Sequence, residues 1–107
     1  MVTTEYNKLV RDKIPAIITA EGGIPNFRML DDGEYLEALH AKLLEEVDEY
    51  MKSRELEELA DVFQVIVSIS EAVAGGQREL EYLADEKRRE RGVFAAHIFL
   101  ESVTKNS

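Results

Sequence analysis

The feature that most constrains this chain is the run Val62–Phe63–Gln64–Val65–Ile66–Val67–Ser68–Ile69–Ser70, in which only three of nine residues are polar. Wound as a helix, it is apolar around nearly its whole circumference, and such a helix is buried on several sides. The chain has 107 residues, the usual size of one domain, so few other elements are available to surround it. The expectation is a single domain, residues 1–107, built as an all-α antiparallel helical bundle. Its N- and C-terminal segments are short and irregular, and oligomerisation completes it as a homodimer or higher homo-oligomer.

The rest of the pattern supplies helices to pack on that run. Pro15 stands early in the apolar-periodic series Ile14, Ile17, Ile18, and Gly22–Gly23 closes it, which predicts a short helix from about Asp12 to Glu21. Asn26 to Leu30 reads as extended or irregular, and Asp31–Asp32–Gly33 as a turn whose Asp32 caps the next helix. Leu36, Leu39, Leu43, Val47 and Tyr50 then recur every three or four positions, predicting an amphipathic helix from Glu34 to about Lys52. Ser53 is the best N-cap for a second long helix, running to Ala74 before Gly75–Gly76. A third spans Gln77 to about Gly92. The tail from Val93 to Val103 alternates loosely, and its pattern fits an extended segment as well as a helix.

Composition excludes several functions. With no cysteine, the chain has no disulfides, no thiolate zinc site and no cysteine nucleophile. A net charge of −9 opposes binding to a nucleic-acid backbone, which needs a basic surface. The opening MVTTEYNKLVRDK lacks the apolar core of a signal peptide, and Val62 to Ile69 is too short to span a bilayer. The expected address is therefore cytoplasmic, with no membrane partner. Excess acid does not oppose a small phosphorylated ligand, because clustered carboxylates gather divalent cations and a bound cation reverses the local field.

With 22 acidic residues, carboxylates three apart on a helix are common and mostly mark a solvated face. Geometry selects among them. If the chain folds back at Ser53/Arg54, residues equidistant from that break lie at the same height. Glu49 then faces Glu58, and Glu46 faces Asp61 nearly one turn further on, whereas Asp48 faces Leu59 and Glu45 faces Val62. On a wheel of ~100° per residue, Glu46 borders the apolar stripe and Glu49 lies further round the same edge. Glu45 and Asp48 fall on the solvent side. Glu58 aligns with Val62, Val65 and Ile69, and Asp61 stands beside it. Four carboxylates at one edge repel and raise one another's pKa. A hard cation held through oxygen resolves this, and without imidazole or thiolate donors Mg²⁺, or Mn²⁺, is preferred over zinc.

These residues carry a resemblance. Glu45–Glu46–Val47–Asp48–Glu49 followed by Glu58–Leu59–Ala60–Asp61 resembles the ExxE…ExxD signature of the all-α nucleotide pyrophosphohydrolases. That superfamily includes MazG-like enzymes, dimeric dUTPases and phosphoribosyl-ATP pyrophosphohydrolase. The opening Tyr6–Asn7–Lys8–Leu9–Val10–Arg11–Asp12–Lys13–Ile14–Pro15 is similar to the start of one MazG-like subgroup. Its RGGFxxGIFL-like tail reads here Arg91–Gly92–Val93–Phe94–Ala95–Ala96–His97–Ile98–Phe99–Leu100, with Lys87 upstream. Val93 and His97 stand where that pattern has glycine, and the eight residues 50–57 between the acidic pairs make a shorter link than many of these enzymes have.

The resemblance implies Mg²⁺-dependent hydrolysis of a nucleoside triphosphate to the monophosphate and pyrophosphate, serving nucleotide-pool sanitation. Glu46, Glu49, Glu58 and Asp61 fall on the metal-ligand positions. Glu49, together with Glu46, is the candidate catalytic carboxylate, because one not fully used by metal can take a proton from water. Lys8, Arg11 and Lys13 form one basic cluster and Lys87, Arg88, Arg89 and Arg91 another, and the second also suits a helix C-terminus. The resemblance favours Lys8, Arg11, Lys13, Lys87 and Arg91 as contacts to triphosphate oxygens, with Arg28 behind them.

Three alternatives are distinguishable by experiment: the same chemistry on phosphoribosyl-ATP, a non-catalytic acidic helical interaction module, and a carboxylate-bridged redox metal protein. Glu37–x–x–His40 has the spacing used in di-iron bundles, but those need the motif twice, so His40 reads as a neighbour of Leu36 and Leu43. Tyr50 and Phe63 read as packing residues that could also stack on a base.

Overall fold

A computed structural model describes residues 1–73 and 75–106, and within them the chain is four helices with no strand. Helix α1 spans Ile14–Ala20, α2 Asp32–Ser53, α3 Leu56–Val73 and α4 Gly76–Arg91. The expected end of the second long helix, Ala74, lies outside the described residues.

Local chemistry sets each boundary. Helix α1 carries Pro15 in its first turn, where a missing N–H costs nothing. It stops in a paired turn: the Gly23 N–H donates to the Ile18 carbonyl at 2.9 Å and the Gly22 N–H to that of Thr19 at 3.1 Å. Gly22 sits at φ 91°, the positive-φ geometry such a cap requires. Helix α2 begins two residues earlier than its apolar periodicity predicts, and its cap is Asp31 rather than Asp32. Asp31 Oδ1 accepts from the Glu34 N–H at 2.8 Å while Glu34 Oε1 accepts from the Asp31 N–H, a reciprocal capping box.

Ser53 ends α2 instead of capping α3. Arg54 adopts a left-handed conformation (φ 60°, ψ 21°), its N–H bonds back to the Tyr50 carbonyl at 2.7 Å, and its Nε reaches the Met51 carbonyl. The Ser53 hydroxyl accepts from the Glu55 N–H, bridging the break. Only Arg54 and Glu55 separate α2 from α3.

Helix α3 packs against both α2 and α4, which puts the apolar run at the centre of the chain. Leu39, 3% exposed, joins Val65 and Val67 as the buried apolar residues, and buried Ser70 satisfies its hydroxyl on the Val67 carbonyl. Much else stays open, including Leu44, Met51, Leu59 and Phe63. The radius of gyration is 19.2 Å, against about 13 Å for a compact body of this length. Beyond α4 the tail, which periodicity left open between extended and helical, is neither helix nor strand through residue 106. No single helix among the described residues is long and apolar enough to cross a membrane.

Candidate metal centre

Glu46 from α2 and Glu58 and Asp61 from α3 each bring a carboxylate oxygen to within 4.8 Å of the others. The short Arg54–Glu55 link is what makes them meet, because it holds the two helices at a fixed offset. Three carboxylate oxygens so placed could hold a divalent cation that takes oxygen ligands.

The charges behave as a crowded cluster should. Partial desolvation, followed by the nearby carboxylates of Asp61, Glu49, Glu46 and Glu55, raises Glu58 above the usual glutamate range. Glu49 therefore acts on the cluster electrostatically, although it stands outside the trio that converges and is itself exposed.

Cations frame the acids. Arg11 Nη2 donates to Asp61 Oδ1 at 2.7 Å, reaching from the N-terminal segment across fifty positions of sequence. Lys8 Nζ lies 3.3 Å from Glu45. Lys42, nearly enclosed at 16% side-chain exposure, lies 3.3 Å from Glu46 and 3.5 Å from Glu45. Sequence reasoning gave Lys42 no role; its i, i+3 and i, i+4 spacing to Glu45 and Glu46 was the signal that could have found it.

The assignment of Glu45 needs correcting. Glu45 is not on the solvent side of α2 but half-buried beneath Lys8 and Lys42. Burial alone would raise its pKa; Lys42 and Lys8 outweigh that and hold it below the usual range. The wheel saw α2 in isolation and could not include the N-terminal segment that covers this face. Asp48, paired with Lys52, is exposed as expected.

Of the other basic candidates, Lys13 is exposed at the start of α1, and Lys87 and Arg91 are exposed along α4. None of the three forms an ion pair among the described residues, so the fold of one chain does not bring them to the carboxylates. Arg28 is held elsewhere, in a two-pronged pair with Glu34 at 2.9 and 3.3 Å. His40 is exposed, not packed as its neighbours suggested, and Phe63 is 56% exposed, while Tyr50 is half-buried.

Beside the carboxylates, a shallow cleft of about 410 Å³ is lined by Asp12, Tyr35, Gln64, Ser68, Glu71 and Ala72. Gln64 lies one turn along α3 from Asp61, and Asp12 follows Arg11, so the cleft adjoins the acidic cluster.

No family model matches the chain, and no solved structure matches it. A stretch of 42 residues is 57% identical to part of an uncharacterised protein of Mycolicibacterium smegmatis. The match covers 39% of this chain and 43% of that protein, so the chain spans less than half the length of its relative.

Proposed function

We propose that this chain is a MazG-like, Mg²⁺-dependent pyrophosphohydrolase that cleaves a nucleoside triphosphate between the α and β phosphates, in a cytoplasmic role of nucleotide-pool sanitation. The observation that carries the reading is the convergence of Glu46, Glu58 and Asp61 from two helices, with a guanidinium at its edge. These three, with Glu49, would hold Mg²⁺, or Mn²⁺ in its place. The bound metal would neutralise phosphate charge and lower the pKa of a bound water.

The chain's own residues do the rest. Glu49, exposed and outside the converging trio, is the ligand least committed to the metal, and it accepts the proton as water oxygen bonds to the α phosphorus and the bond to the bridging oxygen breaks. Pyrophosphate leaves and the monophosphate remains. Arg11, Lys8 and Lys13 meet the triphosphate oxygens from the N-terminal segment. Lys87 and Arg91 serve the same purpose when a homodimer or larger homo-oligomer completes the antiparallel bundle. The adjoining cleft, with Tyr35 and Gln64 on its walls, is of a size that takes the nucleoside.

The decisive experiment incubates the protein with a panel of nucleotides, phosphoribosyl-ATP included, and Mg²⁺, and identifies the products. Monophosphate with pyrophosphate is expected. Diphosphate with orthophosphate contradicts the mechanism, and no turnover of any nucleotide supports a binding module instead.

A further inference from the structure

One chain alone leaves far more surface open than a folded body of its mass. A protein of 12.2 kDa exposes about 6,100 Å² when folded; this chain exposes 9832 Å². The excess is roughly 3,700 Å². Against its extended form the chain buries about 44% of its surface, where a domain of this size buries roughly two-thirds.

Part of the open surface is the face of α2 and α3 that carries Leu44, Met51, Leu59 and Phe63. The other part is the arm after α4. Val93, Phe94, Ile98, Phe99, Leu100 and Val103 are all exposed there, Phe94 at 97%. The arm has a defined shape. Gly92 leaves α4 at φ 82°, ψ −162°, a region open essentially to glycine alone. Five residues further on, His97 adopts φ 59° and its N–H closes a turn on the Phe94 carbonyl at 3.1 Å. The result is a hook that presents two phenylalanines and four aliphatic side chains with nothing beneath them.

We propose that this arm docks on the open α2–α3 face of a second copy of the chain, each copy giving its arm to the other. The inference rests on the oligomer proposed above but not on its enzymatic activity. Area points to this occupant. The two phenylalanines carry roughly 300–500 Å², and with the four aliphatic side chains the arm presents about 800 Å², the share one partner contributes to a stable interface. Each copy then covers its own arm and the face that receives the other, about 1,600 Å² of the excess.

The small core points the same way: among the described residues Leu39, Val65 and Val67 are the buried apolar side chains, and every copy of the chain carries both the arm and the open face. A net charge of −9 works against an anionic bilayer as the alternative. Because Arg91 immediately precedes Gly92, the exchange also brings the basic end of α4 up to the second copy.

The absence of cysteine allows a clean test. A nitroxide is attached through Ser102→Cys on an unlabelled chain, which is unfolded and refolded with an equal amount of ¹⁵N-labelled chain. Any broadening of labelled amides is then intermolecular. Light scattering and sedimentation are run on the full chain and on Phe94→Asp/Phe99→Asp. Expected are a dimer or larger species, selective broadening on α2 and α3 of the labelled chain, and self-association at least about tenfold weaker in the double variant. A folded monomer at micromolar concentration overturns the proposal, whether or not it binds anionic vesicles. So does an oligomer without intermolecular broadening from the arm, or a folded double variant that associates as tightly as the parent.

Discussion

Replacing Arg11 by methionine should tighten cation binding while it weakens catalysis. The guanidinium sits 2.7 Å from Asp61 Oδ1, with side-chain exposures of 57% and 42%. It thus occupies an oxygen that a cation also needs. An ion pair this exposed is worth about 0.2–1 kcal/mol. Methionine keeps the apolar stem and removes the competitor, so Mg²⁺ affinity should rise by that amount, about 1.4- to 5-fold. If Arg11 stays near Asp61 after the cation arrives, loss of like-charge repulsion pushes the same way. Turnover should fall, because the proposed contact to phosphate goes with the guanidinium. Calorimetric titration with Mg²⁺ at fixed ionic strength measures the first effect, and raising the salt should narrow it. A variant with native circular dichroism that binds Mg²⁺ no tighter, or more weakly, refutes the competition between Arg11 and the metal.

Other substitutions probe the scaffold. The hydrogen bond from Arg28, then the Asp31 N–H, hold Glu34 below the usual glutamate range. Its contribution to stability is therefore present above the unfolded-state pKa and lost as pH falls through the lowered folded value. Urea melts between pH 3 and 7 should show the parent's advantage over Glu34→Gln shrinking on acidification. Leu39→Ala should cost about 2–3 kcal/mol in the same assay, because Leu39 is the least exposed core residue; a loss below 1 kcal/mol would mean the site collapses freely. Arg54→Gly relieves a left-handed non-glycine residue and should stabilise by up to about 1 kcal/mol. Destabilisation would show that the Nε bond to the Met51 carbonyl outweighs the backbone strain.

The long helices and the height at which their acids meet were legible because both follow from periodicities and a single break. The apolar run named α3 as the central helix, and reflection about Ser53/Arg54 picked Glu46 and Asp61 as partners. The details that escaped depend on distant chain. Nothing local tells that Arg11 reaches Asp61 or that Lys8 covers Glu45, since those contacts require the path of the N-terminal segment over α2 and α3. Asp31 and Asp32 are equally good caps in composition, and only the reciprocal reach of Glu34 decides between them. The tail resisted because its apolar residues have no partner within the chain to fix a period.

The link between α2 and α3 acts as a ruler. With Arg54 and Glu55 as its whole length, one inserted residue would turn α3 by about 100° relative to α2. Glu58 and Asp61 would then swing away from Glu46 while both helices could still form. Substitutions can tune this cluster gradually, but a length change at the link scatters it in one step. The two descendants of such a chain, one keeping the link and one not, would share nearly every residue but not this cluster.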